Sequence, residues 1–195
     1  MRCAVLTTLL LLLCATTTMA TTVTLTMTEV PNQTIHGLTV TKSGVGFTFI
    51  EPTLTLFYNS TGPGSVTFVQ DPSIQGGPAR PFSVTFSEPV NFIQFGLAEL
   101  TGNSLLALVT LSNGSVSPVP LSLTDPFPEG QFTYNGPPVS SFFLAPAPGA
   151  LALAFDNLTV STVSTVPEPA SLFLLAFGLF ASMLMTRVRR RHFTT

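Results

Sequence analysis

From Val23 to Val160 apolar residues recur at every second position, in short runs separated by Gly, Pro and Asn. Side chains on a strand point to alternate faces, so a two-residue period buries one face of a sheet and wets the other. No stretch of this body shows a helical period longer than two turns. A chain patterned this way closes a core by packing sheet on sheet. Its residues agree: Thr, Ser, Val, Phe and Leu dominate, and the helix formers Lys, Glu and Arg are scarce.

The strands are predicted in order. Val23, Leu25 and Met27 alternate with threonines. Val45, Phe47 and Phe49 follow Gly44, and Leu54 and Leu56 follow Pro52. Val66 and Phe68 follow a Thr61-Gly-Pro-Gly64 turn. Phe82, Val84 and Phe86 form a clean run. Val90 and Phe92 lead to Phe95 and Leu97 with a change of phase at Ile93, which predicts a bulge. Leu106, Leu108, Val109 and Leu111 run into Asn113-Gly114, the strongest hairpin signal here. Val116, Val119, Leu121 and Leu123 return from it, and Pro118 and Pro120 assign the return to an edge. Phe132 and Tyr134, then Val139, Phe142 and Leu144, then Leu151, Leu153 and Phe155 complete the set. Leu158 and Val160 continue past Asp156-Asn157, read as a bulge. The expected fold is all-β, an antiparallel β-sandwich of jelly-roll type with about ten short strands, followed by a single C-terminal transmembrane helix.

The segments outside the body read as addresses. Residues 1–20 have the form of a signal peptide: Arg2 is the basic start, Ala4 to Cys14 the apolar stretch, and Ala20 the residue before the cut. Cys3 and Cys14 are the only cysteines, so the body (21–160) has no disulfide and no thiolate chemistry. Lys42 and Arg80 face eight acids between residues 21 and 165. That balance excludes a nucleic-acid footprint. Residues 161–169 are a linker ending in Val166-Pro167-Glu168-Pro169, where each proline fixes φ and removes a donor. Residues 170–186 carry no charge and are just long enough, at about 25 Å, to span a bilayer as a helix. In the basic tail, 187–195, Arg187, Arg189, Arg190 and Arg191 stay cytoplasmic by the positive-inside rule. The body is then exported.

This order of Pro-Glu-Pro, short apolar span and arginine cluster resembles the PEP-CTERM sorting signal of exported bacterial proteins. The resemblance implies an exosortase as partner, an inner-membrane precursor, and processing near Pro167–Pro169. It implies a final place at the cell surface or in extracellular polysaccharide. A permanent tail anchor is the plainer alternative.

Within the body no nucleophile motif or phosphate loop is present. His36, before Gly37, is read as a turn residue. Glu88 and Glu99 are the candidate carboxylates for a hydrolase. The run from Leu151 to Val160 resembles the closing strand of jelly-roll carbohydrate-binding modules. That resemblance implies a structural calcium between Asp156 and Glu29, and no cofactor beyond it. Tyr58 and Tyr134, at predicted strand ends, are the candidate ligand contacts for a glycan-binding or structural module that is not an enzyme. Asn32, Asn59, Asn113 and Asn157 begin N-x-Ser/Thr sequons.

Overall fold

The computed structural model describes residues 20–62, 66–101, 105–124 and 126–163. The predicted sorting motif, membrane helix 170–186 and arginine tail lie outside the described residues, as does the signal peptide up to its last residue. Ala20–Val163 forms one compact unit. Its strands pair with one another around a core of their own, so it meets the criteria of a domain that folds by itself.

The described residues form eleven strands: β1 (Thr22–Leu25), β2 (Gln33–Thr34), β3 (Thr39–Lys42), β4 (Val45–Ile50), β5 (Leu56–Ser60), β6 (Ser73–Gly76), β7 (Phe82–Thr101), β8 (Leu106–Leu111), β9 (Val116–Pro120), β10 (Glu129–Pro146) and β11 (Ala152–Thr162). All the pairings are antiparallel. The two long strands β7 and β10 pair along most of their length. The first half of β7 also pairs with β4 and the second half of β10 with β8, which extends through the β8–β9 hairpin. The second half of β7 pairs instead with β11, followed by β6, β5 and β2. The register of the β7–β10 pair shifts between Asn135 and Ser141. The long pair therefore bends there and belongs to both layers of a sandwich.

Aromatic rings fill the space between the layers. Phe82 meets Phe155 edge to face at 5.3 Å, and Phe49 meets Tyr58 at 5.9 Å. Phe95 stacks on both Phe132 and Phe142. Such pairs add to the area each ring buries. The phase change predicted in β7 is real: Phe82, Val84, Phe86 and Val90 are buried, then Ile93, Phe95 and Leu97. The bulge falls before Ile93, so Ile93 faces the core and Phe92 is half-buried, the reverse of the alternation predicted. The Asn113-Gly114 turn is the β8–β9 hairpin, with Gly114 at φ +86°, where a glycine is the least strained residue.

Other predictions need correction. Val66 and Phe68 lie in no strand; a loop covers β7 and β11 there. Leu54 is half-exposed at a bend with φ +60°, and Leu123 is largely exposed past the end of β9. The predicted pairs 82–86/90–97 and 132–134/139–144 are single strands, β7 and β10. β11 runs two residues into the predicted linker, where the Thr162 amide donates to the Thr21 carbonyl.

Candidate functional site

The body holds few cations, so its acids must find other donors. Five of them accept hydrogen bonds from loop amides. Glu51, fully buried, takes the Thr53 and Thr55 N–H groups and the Thr53 hydroxyl. Glu129, also buried, takes the Thr67 amide at 3.2 Å and the Phe68 amide at 2.7 Å. Asp156 Oδ2 takes the Gln70 amide at 3.0 Å, and Asp71 takes that of Gly62. Glu29 takes the Thr26 amide. A carboxylate receiving amide hydrogens is a charge-assisted clamp. Glu129 and Asp156 act together: they come from β10 and β11, and between them they pin residues 67–70 across β7. Asn157 adds a hydrogen bond from its side-chain amide to the Phe68 carbonyl. Gly96 makes the close approach feasible, because a Cβ there would overlap the Phe68 carbonyl oxygen. A small second core of Val69, Ala98 and Ala154 lies under this strap.

The structure brings the two residues expected to share a calcium, Glu29 and Asp156, into one electrostatic neighbourhood with Tyr58 between them in influence. Glu29 Oε2 accepts from the Tyr58 hydroxyl at 2.5 Å, and Oε1 forms an ion pair with Lys42 at 2.7 Å. Burial opposes the Glu29 charge, but Lys42, Tyr58 and the Thr26 amide outweigh it and hold the carboxyl at about 2. The Tyr58 phenol is pushed well above its ordinary range, first by burial and then by its bond to Glu29. Asp156 moves the opposite way, up to about 6. Burial is the main cause, and the charges of Glu29 and Asp71 add to it. Its Oδ1 is buried and has no hydrogen-bond partner.

That orphaned oxygen is one position from which a cation could be held. Glu29 presents no such vacancy, since both its oxygens are engaged by Lys42, Thr26 and Tyr58. Among the described residues no three His, Cys, Asp or Glu side chains converge as a metal-binding group.

The other sequence candidates separate. Tyr58 is fully buried against Phe49 and Glu29, so no ligand reaches it and its expected contact role is withdrawn. Its alternation with buried Leu56 was the signal that it points inward. Tyr134 is half-buried; its hydroxyl donates to the Pro137 carbonyl and accepts from Asn113. Glu88 is exposed at the β7 bend, whereas Glu99 is buried near its far end. They are eleven positions apart along an extended strand, on the order of 30 Å. Paired glycosidase carboxylates stand within about 10 Å of each other, so these two do not form such a pair. His36 sits in the expected turn, its Nδ1 2.6 Å from the Glu51 carbonyl. The side-chain amides of all four sequon asparagines are engaged within the fold.

Residues 165–191 match the PEP-CTERM protein-sorting motif, so the tail is a sorting signal of that type. A search of curated proteins gives no match. Among solved structures, the body is similar to a family 29 carbohydrate-binding module from Piromyces equi, at 12% identity and a TM-score of 0.38, covering 80% of this chain and 99% of that one. A second structure of a family 29 carbohydrate-binding module aligns over 77% of this chain and 99% of that one, again at 12% identity and a TM-score of 0.38. At that level of likeness neither ligand nor chemistry transfers.

Proposed function

We propose that this chain is an exported bacterial protein whose tail is recognised and processed by an exosortase, and whose β-sandwich is the delivered cargo, a non-catalytic structural or glycan-binding module of the cell surface or extracellular matrix. The observation that carries the proposal is the sorting motif over 165–191. It begins two residues after Val163, where the compact body ends. In this reading Val166, Pro167, Glu168 and Pro169 are the recognition element. Residues 170–186 hold the precursor in the inner membrane, and Arg187, Arg189, Arg190 and Arg191 keep its end cytoplasmic. Cleavage after Ala20 leaves β1 at the new N-terminus. The use of the body's acids as loop clamps supports a scaffold in preference to an enzyme. If a calcium ion belongs to the body, Asp156 Oδ1 is its point of attachment, and calcium raises the melting temperature of the wild type but not of Asp156→Asn.

The test is the intact mass of the mature protein recovered from its own host. A C-terminus near Pro167–Pro169, lost when Glu168 is replaced by Ala, supports processing. A mature mass that retains Arg187 to Thr195 overturns it and leaves a permanent anchor.

A further inference from the structure

Among the described residues, the outer face of the layer formed by β3, β4, the first half of β7, the second half of β10, β8 and β9 carries charge only at its margins, where exposed Arg80 lines its groove and Glu88 is exposed at the β7 bend. Its other outward positions are all Thr, Ser, Gly, Pro or apolar. A solvated sheet face ordinarily carries charges, which keep it from stacking on its own kind.

The relief of the face is as informative as its chemistry. One row of cross-strand partners runs Ile50, Ser83, Phe143, Thr110, Val116. Large and small side chains alternate along it. The three large ones are 49%, 43% and 60% exposed, high for apolar residues within strands. Neighbouring strands are about 4.8 Å apart, so ridges recur at about 9.6 Å with a notch over Ser83 and another over Thr110. The first notch is the floor of a groove of about 470 Å³ between Ile50 and Phe143, with exposed Arg80 also in its lining. A corrugation of this period is complementary to itself: a copy turned through a two-fold axis and offset by one strand sets its ridges into these notches. Ser and Thr hydroxyls both donate and accept, so they pair with identical residues across such an axis without any charge.

We infer that this sparsely charged, corrugated face is where a second copy of the chain docks, forming an isologous sheet-on-sheet dimer. The area is of the right order. Six strands of about 17 Å cover about 500 Å² in plan, and side-chain relief raises the accessible area toward the roughly 800 Å² per partner of a standard interface. A neutral glycan is the competing occupant, for which the groove offers one aromatic ring, Phe143, and one charged donor, Arg80; the alternation of ridge and notch over five strands fits a second corrugated sheet better than a sugar chain, which stacks on a flat aromatic platform. The inference does not depend on tail processing, because it concerns the folded body alone.

The experiment is sedimentation equilibrium of the body, residues 20–163, with Phe143→Lys and Ile50→Lys as variants at exposed positions. Urea unfolding of each variant checks that the fold survives. The expected result is a wild-type mass that doubles by about 100 μM, with self-association at least tenfold weaker in either variant. A wild type that stays monomeric to about 1 mM overturns the inference. So does a dimer equally strong in both variants, which places the interface elsewhere. A monomeric wild type that binds host polysaccharide, and loses it in Phe143→Lys, also overturns it and makes the face a glycan platform.

Discussion

Replacing Asp156 with Asn should stabilise the body at alkaline pH and not at acidic pH. The carboxyl has its pKa raised from 3.8 to about 6, chiefly by burial. Between those values the native protein holds a proton that the unfolded chain has released, so stability falls as pH rises through that window. Above it the cost of the buried charge is about 3 kcal/mol, at 1.36 kcal/mol per pKa unit. Asparagine removes the charge and keeps an acceptor for the Gln70 amide. It also places an N–H group where Oδ1 has no partner, which offsets about 1 kcal/mol or more of the gain. The net expectation is a variant more stable than wild type by about 1 to 2 kcal/mol at pH 8, and equal or less stable at pH 4. Urea unfolding of both proteins at the two pH values, with chelator present, gives the four free energies. Glu29 responds in the opposite sense, since its lowered pKa stabilises the fold above 4.5 and that contribution is lost as pH falls toward 2. It is common to both proteins and largely cancels in the difference. The reasoning is refuted if the Asp156→Asn substitution costs stability at pH 8, or if the difference is the same at both pH values.

Three further substitutions probe the core and the strap, each read by urea unfolding. Phe95→Ala empties the point where Phe132, Phe142 and Phe155 meet, and should cost about 3 to 5 kcal/mol. Gly96→Ala drives a methyl group into the Phe68 carbonyl and should cost about 1 to 3 kcal/mol, with faster proteolysis of the 66–70 loop as a second readout. Glu129→Gln sets an amide donor against one of the two N–H groups the carboxylate now accepts. It should cost about 1 to 3 kcal/mol and expose the same loop to protease, while leaving the β8–β9 hairpin protected from hydrogen exchange.

The sandwich was legible because two-residue alternation survives averaging over many strands. The bulge before Ile93 was legible for the same reason, since a bulge is an interruption of that period. The Asn113-Gly114 turn could be read because its φ requirement names its residues. What failed was local and tertiary in origin. Ser73, Ile74 and Gln75 are all buried, so β6 shows no alternation to detect. Val66 and Phe68 alternate without being a strand, because their loop is fixed by Glu129 and Asp156, which are 61 or more residues away along the chain. Asp156 resembled metal-binding material only because sequence does not show which amide points at it. Tyr58 was misplaced by its polar tip: the hydroxyl and adjacent Asn59 read as a strand end, but the carboxylate of Glu29 satisfies that hydroxyl inside the fold.

Under the proposed function, in which the precursor is held by its tail, the position of β11 has a mechanical consequence. β11 is the last strand before the sorting motif, and it is gripped on both sides. β7 pairs with it along one edge, and β1 and β6 along the other. Tension drawn along the strand from Thr162 runs across hydrogen bonds that lie perpendicular to it, so the three ladders share the load in shear and do not unzip one at a time. A hairpin edge such as β9 would peel under the same pull. In that reading the body meets its tether through the strand best placed to resist extraction, and its lifetime under load is set by the rate at which that whole strand slides free.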